Sequence, residues 1–249
     1  MLQLFGVMIM EPFFLAIAGT STVGVLVLGF ILGLKHATEA DHLVAVTTVV
    51  SEKKGLIRSA LVGALWGLGH TISLFAAGIA VLVLNLEIGP RIENSLELCV
   101  GIMLALLGLN VLRKLLRGET LHFHTHGHGP HSHTHLHTHD VEHTGNETHH
   151  GFSFSPKAVL IGMVHGMAGS AALMILVIPT IGSRAMGLLY ILLFGVGSIA
   201  GMGIMTLLVG LPFHLSALRF TRFNTLLQGG AGIAGLLFGL WVVYERGFA

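Results

Sequence analysis

The chain has 249 residues, of which 53% are hydrophobic and only 10% are Asp, Glu, Lys or Arg. Soluble domains carry about 25% of these charged residues, so the composition excludes a water-soluble globule. The net charge is +1 and no basic block is present, which excludes a surface that tracks nucleic-acid phosphates. The composition is typical of a helical protein of the cell (inner or plasma) membrane with several spans.

Apolar runs of about 20 residues, the length that crosses a bilayer, recur along the chain. Six runs predict spans, and they lie at residues 22–50, 56–86, 96–116, 156–181, 185–211 and 226–243. A seventh run at residues 2–18 is interrupted by Glu11 and Pro12, and it is a further span, a broken helix or an interfacial helix. We therefore expect an all-α integral membrane protein with six to seven transmembrane helices.

Lysine and arginine concentrate in alternate connections between the predicted spans. Lys53 and Lys54 follow the first of these spans, several basic residues flank the histidine-rich segment, and Arg219 and Arg222 precede the last span. Because basic loops remain on the cytoplasmic side, this pattern predicts that the histidine-rich segment is cytoplasmic. The C-terminus is then expected outside.

Two short motifs recur in the two halves of the chain. Residues 33–36 (GLKH) match residues 162–165 (GMVH), and residues 67–70 (GLGH) match residues 195–198 (GVGS), with nearly equal separations. Three helices per half would make the copies face opposite ways, and such inverted repeats form transporters with a site at the repeat interface. We therefore expect an inverted 3+3 helix repeat. The alternative is chance similarity between glycine-rich apolar segments.

Several polar residues fall within the first of these six spans, where each charged group costs roughly 2.5–3.5 kcal/mol or more. In a regular helix, with about 100° per residue, His36, Glu39 and His42 share one side and Asp41 points elsewhere. A ligand set of His36, Asp41 and His42 therefore needs a bend, which is tolerated where the backbone lines protein or a cavity. Glu39 is a ligand, an orienting group or the ion-pair partner of Lys35.

His70 and His165 occupy the repeat-related positions in other predicted spans. Imidazole together with carboxylate suits Ni²⁺, Co²⁺ and Zn²⁺, whereas Mg²⁺ and Ca²⁺ prefer oxygen ligands alone. The alternative for His165 is a group that hydrogen-bonds between helices, and His214 is expected at the surface. The predicted metal ligands are His36, Glu39, Asp41, His42, His70 and His165.

Histidine is the outlier of the composition, because 12 of the 17 histidines lie between His122 and His150. They alternate with small residues and cannot form a packed core, so the segment is predicted to be a flexible loop that buffers divalent metal. A neutral spacer is the alternative. The buffering residues are expected to be His122, His124, His126, His128, His131, His133, His135, His137 and His139.

These features divide the chain into three predicted regions. Residues 1–117 form a first transmembrane half, made of the N-terminal segment and a three-helix repeat. Residues 118–155 form the His-rich cytoplasmic loop, and residues 156–249 form the second transmembrane half.

Residues 36–42 (HATEADH) resemble the His-x4-Asp-His signature of the nickel/cobalt transporter (NiCoT or NicO) superfamily. Residues 66–73 (WGLGHTIS) resemble the second motif of that superfamily, and residues 164–172 (VHGMAGSAA) resemble its UreH-like branch of urease-accessory membrane proteins. The resemblance implies transport of Ni²⁺ or Co²⁺, with the histidines and the aspartate of the first motif essential. The chain departs from the usual pattern in having Lys35 for Arg and Glu39 for Asp.

We therefore expect transport of a divalent transition metal, nickel first and cobalt second, and uptake rather than export. Proton-coupled nickel or cobalt efflux is the alternative, since His-rich cytoplasmic loops are also typical of exporters. From other classes, the alternatives are a membrane metal sensor or chaperone and a membrane metalloenzyme. The membrane segments contain no HExxH motif and no repeated HxxxH and HxxHH boxes, so we expect the protein not to be an enzyme.

The expected partners are the lipid bilayer and the divalent metal ion. The ion is the transported substrate, and no resident cofactor is expected. No GxxxxGK[ST] sequence is present, so no nucleotide is expected as a partner, and the lack of a basic block means that no nucleic acid is expected either. A metallochaperone or a nickel-enzyme accessory protein is a further candidate partner that the residues do not identify.

Overall fold

A computed structural model of the chain defines its architecture. It describes residues 22–50, 56–86, 89–117, 122–128, 131–137, 156–177, 183–219 and 221–248. Its elements in chain order are α1 (Thr22–His36), α2 (Ala40–Val50), α3 (Leu56–Leu82), α4 (Pro90–Leu116), β1 (His122–His128), β2 (His131–His137), α5 (Pro156–Val177), α6 (Arg184–Arg219) and α7 (Thr221–Phe248). The apolar run at residues 2–18 lies outside the described ranges, and its role as a span stays a prediction.

Within the described residues, four helices are long and apolar enough to span a bilayer, namely α3, α4, most of α6 and most of α7. Helices α1 and α2, which meet at an angle of 53°, together form a fifth candidate, either as a broken span or as a re-entrant loop. The chain is therefore a helical membrane protein. The predicted span at residues 156–181 contains the 22-residue helix α5, but its side chains are described only as far as Ala168. The total of six or seven spans stays a prediction.

The outer faces of the long helices support the same conclusion. Large apolar side chains are exposed there, among them Ile57 on α3, Leu106 on α4 and Leu237 on α7. A contiguous apolar surface of this kind is rare on soluble monomers. Its removal from water by lipid tails explains why so few charged residues occur in these helices.

Helices from the first half of the chain pack against helices from the second half. Helix α3 lies against α5 and α6, α1 lies against α6, and α4 lies against α7. One apolar core cluster, which includes Leu28, Leu74 and Phe194, joins α1, α3 and α6. A second cluster includes Trp66 and Met202 and extends to α2 and α4. Two of the candidate ligands contact these clusters, since His36 lies beside Phe194 and His42 lies beside Trp66.

Glycines let the backbones touch at two crossings that resemble each other. At the α1–α6 crossing, a Cβ on Gly33 would overlap the carbonyl oxygen of Phe194. At the α5–α3 crossing, a Cβ on Gly162 would overlap the carbonyl oxygen of Trp66. Small residues at such contacts are what allows membrane helices to approach closely. The larger side chains nearby then reach across the interface.

The helical segment formed by α1 and α2 breaks at residues 37–39. The amide groups of Thr38 and Glu39 donate to the carbonyls of Lys35 and His36, at 2.9 and 3.1 Å, which tightens the last turn of α1. The Thr38 hydroxyl also donates to the Lys35 carbonyl at 2.7 Å. A threonine hydroxyl that satisfies the backbone in this way competes with continuation of the helix. This break supplies the bend that the predicted ligand set requires.

Part of the His-rich segment forms a β-hairpin, which differs from the predicted flexible loop. Strands β1 and β2 pair antiparallel, with His122 opposite His137 and His128 opposite His131. The difference has a physical reason, because alternating histidines and small residues repeat every two positions, which is the period of a strand. Two residues separate the strands, and connections of two residues favour hairpins. Strand β1 lies beside α6.

Candidate metal centre

Four histidines and one aspartate from four helices converge at the break between α1 and α2. His36 ends α1, Asp41 and His42 begin α2, His70 lies in the middle of α3, and His165 lies in α5. All four imidazoles are buried, with at most 4% of each residue exposed. The structure thus brings together five of the six predicted ligands, although they are far apart in the sequence.

Three of the imidazoles form one group. His36, His42 and His70 each offer a ligand nitrogen, and these nitrogens lie within 4.8 Å of one another. The Nε2 atoms of His36 and His70 are 3.2 Å apart. Nitrogens that bind a single ion at about 2.0–2.1 Å lie about 3–3.4 Å apart, so this pair is already at ligand spacing.

Asp41 joins the remaining imidazole to the cluster. One carboxylate oxygen of Asp41 lies 2.9 Å from Nδ1 of His42, and the other lies 2.9 Å from Nε2 of His165. Asp41, His42 and His165 form a second group with ligand atoms within 4.8 Å of one another. The carboxylate therefore lies between imidazoles from α2 and α5. It also accepts from the His42 amide, which fixes its position at the start of α2.

Glu39 takes a different place from the other predicted ligands. Its carboxylate lies 3.0 Å from Nδ1 of His36, but 57% of the side chain is exposed, and no candidate metal group of the described residues includes it. Among the three roles left open by the sequence, this geometry favours orientation of His36. Nitrogen Nε2 of His36 then faces His70.

Several ring nitrogens of the cluster have no hydrogen-bond partner among the described residues. They are Nε2 of His42, Nδ1 of His70 and Nδ1 of His165. A buried polar atom without a partner costs free energy, so such atoms usually serve a ligand or a functional role. The C-terminus of α1 adds the negative end of a helix dipole at His36, which favours a cation there.

Close packing of α3 against α5 places His70 and His165 at the same level. A Cβ on Gly69 would overlap the carbonyl oxygen of Val159, and a Cβ on Gly166 would meet the backbone of His70. Any larger residue at these positions would push the two helices apart. The glycines next to both histidines therefore set the width of the cluster.

Trp66 begins the motif at residues 66–73, but it was not predicted to be part of the site. Its ring lies 5.6 Å from the His42 ring and 5.4 Å from the His165 ring, between ring centroids. It forms an apolar wall on one side of the cluster and keeps water away from these imidazoles. The available signal was its position four residues before His70, since such residues share a helix face.

Comparisons with known proteins identify two relatives. The urease accessory protein UreH of Bacillus sp. (strain TB-90) is 39% identical over 226 residues, which cover 90% of this chain and 92% of that protein. The chloroplast protein FOR GROWTH AND FERTILITY 2 of Arabidopsis thaliana is 24% identical over 237 residues, which cover 88% of this chain and 56% of that protein.

No family model and no solved structure matches the chain. The similarity to UreH, in contrast, extends over nearly the whole length of both proteins. The chain therefore belongs to the UreH family.

Proposed function

We propose that the protein transports a divalent transition-metal ion across the membrane, nickel first and cobalt second, in the direction of uptake. The observation that carries this proposal is the cluster of four buried imidazoles and one carboxylate inside a bundle of apolar helices. Intramembrane polar residues are costly and mark ion pathways by default. A purely structural role would not need five such groups in contact.

The ligand chemistry supports a borderline divalent ion. Imidazole nitrogens replace the water of nickel, cobalt or zinc well, whereas magnesium and calcium require oxygen ligands. Four of the five groups at the cluster offer nitrogen, so the abundant oxygen-seeking cations are disfavoured. The Asp41 carboxylate supplies one negative charge toward the two positive charges of the ion.

The name of the relative favours nickel over cobalt. UreH is described as a urease accessory protein, and urease is a nickel enzyme. A membrane protein of this family would supply nickel to the cytoplasmic machinery that loads such an enzyme. A metallochaperone or an accessory protein is therefore the proposed receiver of the ion, and the histidine hairpin is its proposed point of transfer or storage.

Matched helix crossings support an inverted repeat. Gly33 lies against Phe194, and Gly162 lies against Trp66. Residues 33 and 66 of the first half match residues 162 and 194 of the second, so the two contacts are the same contact with the halves exchanged. Gly69 against Val159 and Gly197 against Phe30 form a second exchanged pair. Contacts that recur after the halves are exchanged are what a two-fold relation between the halves produces.

Helices α4 and α7 show the same exchange. A Cβ on Gly101 would contact the carbonyl oxygen of Gly239, and a Cβ on Gly108 would contact that of Gly232. In the sequence, Gly101 matches Gly232 and Gly108 matches Gly239, so the second contact is the first contact with the two halves exchanged. The ion is therefore proposed to pass between the two halves, where inverted-repeat transporters hold their substrates.

The membrane potential is a sufficient driving force for uptake. At about 2.3 kcal/mol per charge per 100 mV, a divalent cation gains about 4.6 kcal/mol on entering a cell at that potential. Export against the same potential would need coupling to protons. Uptake through the cluster, with the hairpin on the cytoplasmic side, requires no further energy source.

The test is nickel uptake into liposomes that contain only the purified protein. We expect uptake that accelerates when the interior is made negative, and we expect the His36→Ala variant to lose it. His214→Ala is the matched control, since it removes a histidine of α6 that lies outside both ligand groups. If wild-type liposomes bind nickel without accumulating it, the protein is a sensor or chaperone. Faster nickel loss from preloaded liposomes with an inward proton gradient would instead indicate efflux.

A further inference from the structure

The buried cluster divides into two ligand groups, and one residue belongs to both. His36, His42 and His70 form a group of three imidazoles, while Asp41, His42 and His165 form a group of two imidazoles and a carboxylate. His70 and His165 fall in different groups, and their ring centroids are 6.0 Å apart. We propose that the cluster contains two overlapping ion positions that share His42, and that the ion moves by exchanging the other ligands around this residue.

His42 has the geometry of a shared ligand. Its ring is central, with centroids 4.4 Å from His36, 4.3 Å from His165 and 5.3 Å from His70. Its Nδ1 lies at Asp41, whereas its Nε2 has no hydrogen-bond partner in the described part of the chain. In this proposal, Nδ1 of His42 serves the position beside Asp41 and Nε2 serves the position of three imidazoles.

The two positions differ in access. The Asp41 side chain is 33% exposed, whereas His36, His42 and His70 are each at most 4% exposed. An ion at the position with Asp41 keeps access to water through the carboxylate. An ion at the position of three imidazoles is surrounded by buried side chains. The position of three imidazoles is therefore the selective one, because an ion that prefers oxygen loses all its oxygen ligands there.

Occupancy follows from charge. Two divalent ions that share one imidazole in a buried site would repel each other strongly, and a single carboxylate cannot offset them. We expect one ion per protein, which alternates between the positions. This proposal rests on the proposed transport function, since it describes how the same ion crosses the cluster.

Three histidine variants of the full-length chain test whether His42 is shared by the two ion positions. They are made in a background in which the loop histidines are replaced by serine, so that the membrane site is measured alone with Ni²⁺. His70→Ala and His165→Ala each leave one position complete, so each should still bind one nickel ion while uptake falls at least about tenfold. His42→Ala removes a ligand from both positions. Loss of a residue that only hydrogen-bonds to a metal ligand already lowers metal affinity by about 10–100-fold. We therefore expect the nickel affinity of the His42→Ala protein to fall by about a hundredfold or more.

The contrary result is equal loss of nickel affinity in all three variants, which would describe one undivided site. Two nickel ions bound at once by the unsubstituted cluster would also overturn the proposal.

Anomalous diffraction gives a second measurement that does not depend on the folding of His42→Ala. The nickel peak should lie between Asp41 and His165 in the His70→Ala protein, and between His36 and His70 in the His165→Ala protein. A peak at the same place in both proteins would overturn the two positions. A different result would refute the proposed transport function itself, namely that liposomes with the wild-type protein accumulate no nickel.

Discussion

At the scale of single residues, Asp41 is the side chain that links imidazoles from two different helices. Among the described residues, it is the carboxylate that contacts two of the buried imidazoles, at 2.9 Å each. Glu39 is only two residues away, yet it is mostly exposed and lies at the outer nitrogen of His36. The two acids of one short segment therefore have different proposed roles, which substitution can separate.

Replacement of Asp41 by asparagine tests its role as a ligand. Asp41→Asn keeps the size of the side chain but removes the charge that offsets the ion, so we expect nickel uptake to fall by about a hundredfold or more. Glu39→Gln is the matched control, and it should reduce uptake only a few-fold, since His36 keeps its place in the cluster. Initial uptake rates in liposomes measure both. Near wild-type uptake by the Asp41 variant would refute the ligand assignment.

The ligand types could be predicted from the sequence, but their contacts could not. The cost of a charged or imidazole group in the membrane already singles out His36, Asp41 and His42. The pairing of His36 with His70 depends on how α1 and α3 pack on their neighbours, and nothing in the local spacing determines this. The role of Trp66 as a wall was missed for the same reason.

At the scale of helices, the close crossings of α3 with α5 and of α1 with α6 determine whether the cluster exists. Gly162 lies against the Trp66 backbone, and Gly69 lies against that of Val159. The histidines reach each other because these helices approach at glycines on both sides. The glycine-rich composition is therefore part of the site, although no glycine contributes a ligand side chain.

A leucine at a crossing glycine should separate the helices. For Gly162→Leu we expect the protein to lose about 1–3 kcal/mol of stability or more, because overpacking forces backbone shifts. Gly230→Leu is the control, since nothing lies within 4 Å of a Cβ at that position. Thermal unfolding midpoints in detergent, measured without nickel, compare the two. Equal midpoints would mean that α5 does not touch α3 as described.

The break between α1 and α2 was expected from the ligand set, whereas the hairpin was not. Asp41 could join His36 and His42 only if the helix bent, and the structure has a bend of 53° there. In the His-rich segment, polarity and glycine content favoured a flexible loop. The prediction did not use the two-residue alternation of the histidines, which also suits paired strands.

Removal of residues 121–150 tests whether the hairpin is part of the pathway. The histidines of this segment are proposed to store or hand on metal after it has crossed the membrane. We therefore expect the deletion to change the nickel uptake rate only several-fold, with a larger loss in the amount of metal bound per protein. Uptake rate and bound nickel are measured on the same liposomes. Complete loss of uptake in a correctly folded deletion variant would place the segment within the pathway itself.

At the scale of the whole molecule, the two halves interlock rather than stand side by side. Helix α1 lies against α6, and α5 lies against α3, so helices of each half complete the surroundings of the other. The composition and the apolar runs were enough to predict a helical membrane protein. The sequence repeat suggested related halves, but the exchanged glycine contacts became visible only in three dimensions.

The central claim is that a divalent metal ion binds at the break between α1 and α2. Diffraction from crystals grown with nickel, recorded on both sides of the nickel absorption edge, tests it most directly because the anomalous signal identifies both the ion and its position. The account predicts a nickel peak within bonding distance of His42 and at least two further ligands of the cluster. Nickel peaks confined to the histidine hairpin, with none at the buried imidazoles, would contradict it.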